Sequence, residues 1–256
     1  MSEETVRLSV AGAIATVELN GRGDLNLLHR ALFERLSRVL EELNGREEVR
    51  VVILRGQGDR AFSGGVDVTR MKEFSPLEAE TFIRCLHEAM IRVIRLRQPV
   101  IAQVFGPCLG GAMELVMACD LRVASEDARF GLPEIRVGVP SVIEASLLQQ
   151  FVGLSRAREL ILLGDMIDAN EALAMGFLNK IAPRADLETE TRGLAERFLE
   201  LSPKMLAVQK DIVYQWLNLG LEQGAQYSSK AFGLCFATGH PREAMTAFLE
   251  KRKPRF

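Results

Sequence analysis

Residues 100–124 read VIAQVFGPCLGGAMELVMACDLRVA, and the texture changes three times along them. Val100 to Val104, just after Pro99, is a short β-rich apolar run. Gly106 to Gly111 is a glycine-rich turn, Ala112 to Ala118 a short helix, and Leu121 to Ala124 a further strand. The same order stands upstream. Val49 to Arg55 reads as a buried strand and Gly56 to Gly65 as a second glycine-rich loop. Ser75-Pro76-Leu77-Glu78 is a capping box with proline at the first helical position, which predicts a helix running to about Arg97. A repeated strand, loop and helix argues for an α/β fold of stacked β-β-α units.

Outward from this stretch, Val6 to Val10 and Ala13 to Leu19 form a hairpin pattern around Ala11-Gly12, and His29 to Leu43 an amphipathic helix. Beyond Ser141 the pattern is helical: Ser141 to Val152, Arg156 to Leu163, and Ala169 to Met175 with Gly176 as C-cap, followed by one strand, Phe177 to Ile181. Ser202-Pro203 starts another helix, Gly224 to Cys235 is a candidate, and Pro241 opens the last. No Ser/Gly-rich linker marks an independent second domain. The expected organisation is a core over 1–195 and a helical extension over 196–256, used for self-assembly.

A chain of 256 residues with 48% hydrophobic content can bury a large core. A net charge of −2 supplies no overall field for nucleic acid or an anionic membrane, and Lys251-Arg252-Lys253 reads as a solvated helix end. The four cysteines, Cys85, Cys108, Cys119 and Cys235, lie far apart in apolar stretches, as expected of reduced thiols in the cytoplasm. MSEETVRLSV has no leader pattern, and no apolar run approaches the roughly 20 residues of a membrane span.

Glu114 stands in a helix that is apolar on nearly every side. Burial of a carboxyl favours its neutral form and raises its pKa, which suits proton transfer near neutral pH; the alternative is a buried ion pair, for instance with Arg122. A helix N-terminus presents unpaired N–H groups, and Gly111 lets a ligand oxygen approach them. Phe62-Ser63-Gly64-Gly65-Val66-Asp67 is another glycine-rich turn after a buried strand. Two such turns meeting would give two donors to one carbonyl, the layout of an oxyanion hole, whereas each alone is a tight connection. Glu134 lies in the turn-like Phe130-Gly131-Leu132-Pro133-Glu134-Ile135, where a solvated side chain is the common outcome. Glu144, with Ser141, has the S-x-x-E spacing of a helix cap.

Other chemistries find no pattern. Gly56-Gln57-Gly58-Asp59-Arg60-Ala61 matches the loose dinucleotide fingerprint, but Phe62 to Gly65 is a poor opening for a helix. No phosphate-binding G-x-x-x-x-G-K-[ST] and no G-x-S-x-G occur, and His29, His87 and His240 lack metal-ligand spacing, so no metal is expected.

Together these segments resemble the crotonase superfamily and, within it, the enoyl-CoA hydratases. The similarity rests on Ala61 to Asp67, Gly110 to Leu115, Cys119-Asp120, Phe130 to Glu134, Ala169 to Ala172 with Gly176-Phe177, and the ending Ala247 to Arg252. It implies a crotonase-like spiral of β-β-α units with a helical C-terminal region, and a homotrimer or a dimer of trimers. It also implies an acyl-CoA thioester substrate, with coenzyme A part of that substrate and no separate cofactor, no nucleic acid and no membrane. By resemblance, Gly64 and Gly111 are the oxyanion-hole donors, and Leu25, Asn26, Leu28, Ala61, Ser63, Gly65, Val66 and Asp67 contact coenzyme A or substrate. Glu114 and Glu134 fall on the two positions that hydratases fill with glutamate, so hydration of a trans-2-enoyl-CoA is the expected reaction. Enoyl-CoA isomerisation or a specialised dehydration is the alternative, and RNA binding a different class. The chain departs from the hydratase pattern at Val139 to Ala145, where bulky residues and Glu144 replace glycines, at Val66, and at Asn20 to Asp24.

Overall fold

The computed structural model describes residues 5–256; residues 1–4, on which part of the leader reading falls, lie outside them. Strands β1 (Val6–Ala11) and β2 (Ile14–Leu19) form the expected antiparallel hairpin, Val6 opposite Leu19, turning at Gly12 with φ +62°. After helix α1 (Arg30–Gly45), β3 (Val51–Gly56) lies parallel to β2. The short α2 (Val68–Met71) and the long α3 (Pro76–Arg95) lead to β4 (Val100–Val104), parallel to β3. The capping box at Ser75 and Glu78 is present as the sequence predicts.

From β4 the winding tightens. A three-residue strand β5 (Pro107–Leu109) enters α4 (Gly111–Met117), then β6 (Leu121–Ser125) returns beside β4, and β7 (Arg129–Gly131) returns beside β5. Helix α5 (Leu148–Leu163), β8 (Met166–Asp168), α6 (Ala169–Ala174) and β9 (Lys180–Ala182) complete the core, with α7 (Leu187–Leu199) after them. The result is one six-stranded sheet in the order β1-β2-β3-β4-β6-β9 and a second, three-stranded sheet of β5, β7 and β8. Parallel bridges Leu28 to Val66 and Ser63 to Cys108 carry that second wall back to earlier turns. Each turn of the chain thus lays one strand in the large sheet, a shorter one in the second wall, and a helix outside, which is the β-β-α spiral expected.

The large sheet is buried on both faces, so its parallel strands read as continuous apolar runs. One face meets α1 and α3, where Phe33 and Phe82 pack edge to face at 6.4 Å. The other carries Ile14, Val51, Ile53, Ile101 and Val123 under Leu187 and Ala195 of α7. Three further helices follow, α8 (Pro203–Asn218), α9 (Leu221–Cys235) and α10 (His240–Leu249). Lys210 of α8 ties them to the core, donating to Val93 O (3.0 Å), Gln98 O (3.1 Å) and Asp120 Oδ2 (2.6 Å). Among the described residues no helix is long and apolar enough to cross a membrane.

Three local expectations are corrected. Of the two helices read over Ser141 to Leu163, the break between them is present, at Gly153 (φ +75°, ψ 160°), but the first begins only at Leu148, after a 3-10 turn, Ile143–Leu147. The strand expected from Phe177 begins only at Lys180, because the N–H groups of Phe177 and Leu178 bond Ala172 O and close α6. Ser141 and Glu144 form no cap: Val142 is the N-cap and contributes no side-chain bond, and Ile143 takes φ +44°.

Candidate active site

The loop after β3 is fastened to the strand before α4. Phe62 N–H donates to Phe105 O (2.7 Å), Ser63 N–H to Pro107 O (3.1 Å), and Leu109 N–H to Ser63 O (3.1 Å). This stitching sets the two glycine-rich turns side by side. Gly65, at φ +95°, passes so near that a Cβ there would lie 2.8 Å from Leu109 O, so no larger residue fits. Gly110 has φ +55° and starts α4, leaving Gly111 as its first residue, with an N–H that no turn of its own helix can accept.

Every residue of α4 is buried, and Glu114 is only 3% exposed. Burial pushes its carboxyl up to about 9, helped by the charges of Glu134 and Glu144 and opposed by the N–H groups of Ala145 and Val142. The ion-pair alternative fails. Arg122 instead donates to Phe177 O (2.6 Å) and Cys119 O (2.9 Å) and lies over the Phe151 ring at 4.3 Å.

Glu134 sits on a 3-10 turn, Pro133–Val137, on the far side of the same space. Its Oε2 accepts from Ser141 Oγ at 2.8 Å, and its Oε1 rests where a Cβ of residue 110 would be, 2.7 Å from that point. The turn that carries it begins two residues after β7, so the second wall fixes its height relative to α4.

Between them lies a cavity of about 750 Å³ whose wall includes Gly64, Gly65, Val66, Asp67, Gly111, Glu114 and Glu134. Phe74, Phe82, Ile83, Leu86 and Val142 make the rest largely apolar. An adjoining groove of about 720 Å³ shares Val66, Asp67, Phe74 and Phe82 and adds Arg22, His29, Arg30 and Arg70. Burial, Arg22 and Arg70 hold His29 below its usual value.

Leu25, Asn26, Leu28, Ala61 and Ser63, also expected to contact the ligand, are off the cavity wall, whereas Asp67 lies on it. Ala61 and Ser63 are buried, and the Ser63 hydroxyl accepts the Gly65 N–H at 3.1 Å. Asn26, at φ +54°, donates from Nδ2 to Phe62 O (2.7 Å) and accepts the Gly21 N–H. Leu28 is buried, its N–H on Gly65 O at 2.8 Å, and it borders the adjoining groove. Leu25 is half-exposed and its carbonyl accepts the Gly64 N–H at 2.7 Å. Asp67 caps α2 through Thr69 N–H (3.1 Å) and pairs with Arg22 (3.2 Å), contacts that lower its pKa with the Thr69 hydroxyl leading.

Sequence reasoning missed three features. Leu27 rather than Leu25 faces the cavity, Ser141 holds Glu134, and Glu144 meets His87 Nδ1 at 2.7 Å instead of capping a helix. The glutamate amid bulky apolar residues was the signal for the last.

The family model described as enoyl-CoA hydratase/isomerase matches residues 9–256. The short-chain-enoyl-CoA hydratase of Clostridium acetobutylicum is 34% identical over 254 residues, 99% of this chain and 97% of that protein. The crotonyl-CoA hydratase of Syntrophomonas wolfei is 33% identical, covering 100% and 99%. Among solved structures, an enoyl-CoA hydratase from Bacillus anthracis superposes with a TM-score of 0.93 at 30% identity, over 99% of each chain.

Proposed function

The chain belongs to the enoyl-CoA hydratase/isomerase family, and from that premise we propose that it adds water to a trans-2-enoyl-CoA, giving the 3-hydroxyacyl-CoA, or runs the reverse dehydration. The observation that carries this is the pair of carboxyls, Glu114 and Glu134, facing one apolar cavity at the N-terminus of α4. The thioester carbonyl lies against the N–H groups of Gly64 and Gly111. When water attacks C3, negative charge moves to that oxygen, and each donor removed costs about 3 to 4 kcal/mol.

Glu114 takes the proton of the attacking water while Glu134 gives one to C2. Hydration draws on the ionised fraction of Glu114 and the acid form of Glu134, and ends with the reverse; dehydration retraces the same steps. The high pKa of Glu114 makes it the stronger base once ionised, and the N–H groups of Val142 and Ala145 support that form.

The cations Arg22, Arg30 and Arg70 beside the cavity suit the phosphates of coenzyme A. Leu27 and the stretch Gly64 to Asp67 form the ligand-facing rim of these loops, which requires no cofactor beyond the coenzyme A of the substrate. The names of the relatives favour a short acyl chain such as crotonyl. Leu221 (95% exposed), Phe248 (82%) and Leu249 (79%) give the C-terminal helices an apolar surface that supports a homotrimer or a dimer of trimers, and the unpaired thiols support a cytoplasmic location.

Loss of the ultraviolet absorbance of the conjugated thioester, followed over a series of enoyl-CoAs from crotonyl upward, tests the reaction. Rapid loss that Glu114→Gln abolishes is the expected result. Double-bond migration without hydration would overturn it in favour of an isomerase. Light scattering of the purified protein checks the assembly.

A further inference from the structure

A third carboxylate is enclosed on the 3-10 turn Ile143–Leu147, which follows Val142 of the cavity wall. Glu144 is 4% exposed and absent from the cavity wall, yet its charge is felt by Glu114, whose carboxylate faces the N–H groups of Val142 and Ala145 on either side of it. One oxygen, Oε1, lies 2.7 Å from His87 Nδ1; the other, Oε2, is buried with no hydrogen-bond partner among the described residues. A buried acceptor left open is costly. Ile143, a β-branched residue, holds φ +44° in the turn that directs Glu144 inward, a conformation such residues avoid. His87 is the exposed end of this arrangement, with 45% of its side chain accessible. It opens into a groove separate from the cavity, shared with Glu41 of α1, Glu88, Arg92 and Arg95 of α3, and Tyr214 of α8.

The hydratase reading creates a need for such a path. After each hydration Glu114 holds a proton it must lose before the next, and it sits in a buried site that the acyl chain closes from the front. We propose that Glu144 and His87 form a proton-exchange path linking Glu114 to solvent outside the cavity. The Glu114 carboxyl gives its proton to Glu144 Oε2, and a turn of the Glu144 carboxyl hands that same proton to His87 Nδ1, which accepts it in the tautomer protonated at Nε2. The imidazolium so formed releases its proton to water, leaving Glu144 ionised and His87 neutral. Both are relay residues that never touch substrate.

The proposal rests on the hydratase reading, so the test separates the two. In Glu144→Gln and His87→Phe, hydration of crotonyl-CoA in a single turnover proceeds at the parent rate, while steady-state kcat falls roughly ten-fold and recovers as imidazole is added. Single-turnover and steady-state rates falling together, or neither falling, would overturn the path. If the parent shows no hydration, that reading fails, and the path is judged without turnover by nitrogen NMR of His87. There, the His87 Nδ1 resonance steps as Glu114 loses its proton near pH 9, and the step is absent in Glu114→Gln and in Glu144→Gln. No such step in the parent would overturn the path as well.

Discussion

The N–H of Gly64 donates to the carbonyl oxygen of Leu25 at 2.7 Å. One of the two donors assigned to the thioester oxygen is therefore engaged by the protein itself, and a ligand must outcompete Leu25 for it. Binding of a saturated thioester such as butyryl-CoA is expected to free the Leu25 carbonyl and loosen residues 21–27. Hydrogen exchange should then quicken in that segment while slowing at Gly64. Unchanged exchange at both places would remove Gly64 from the oxyanion hole.

Ser141 fixes the second carboxyl through a single 2.8 Å bond. Ser141→Ala removes it without opening a core cavity, since Ser141 is only partly buried. The expected loss in kcat is roughly 2- to 13-fold, that of one hydrogen bond worth about 0.5 to 1.5 kcal/mol, with KM nearly constant. Steady-state kinetics beside a melting curve that moves by no more than a degree or two would check this.

The pKa of Glu114 sets a direction for stability against pH. Its folded value of about 9 stands above the 4.5 of a solvated glutamate. Across that window the unfolded chain has released the proton while the folded one retains it, so stability falls as pH rises, by at most about 1.4 kcal/mol per unit. Glu114→Gln has no such proton. Its melting temperature should match the parent near pH 5 and exceed it increasingly toward pH 9, even as activity drops by about 10² to 10⁴. A constant difference across that range would contradict the assignment.

Asn26 joins the two loops of the rim. Alanine there meets a left-handed backbone at φ +54° and strands the Phe62 carbonyl and the Gly21 N–H. Asn26→Ala is expected to cost about 2 to 4 kcal/mol and to raise KM for the enoyl-CoA. Asn26→Gly, which tolerates that φ, should cost less. Chemical denaturation of the two variants gives the comparison.

What could be read from the chain follows from what is local. The capping box at Ser75, the alternation of strand and glycine turn, and a glutamate in an otherwise apolar helix are contained within a few residues each, and they located the fold and Glu114. Strands as short as Pro107–Leu109 are too brief for any periodicity to mark them. Glu144 was misread because S-x-x-E is a local pattern, whereas its partner is His87, 57 residues away on another turn of the spiral. Likewise the Leu25 carbonyl reaches Gly64 only once the two walls have formed.

Glu134 is parked against backbone. Its Oε1 fills the volume that any side chain at position 110 would need, 2.7 Å from where a Cβ would stand. The residue at 110 and the reach of the acid at 134 are consequently one steric choice made at two places in the chain, and the resting position of the Glu134 carboxyl is set by atoms that Gly110 does not have.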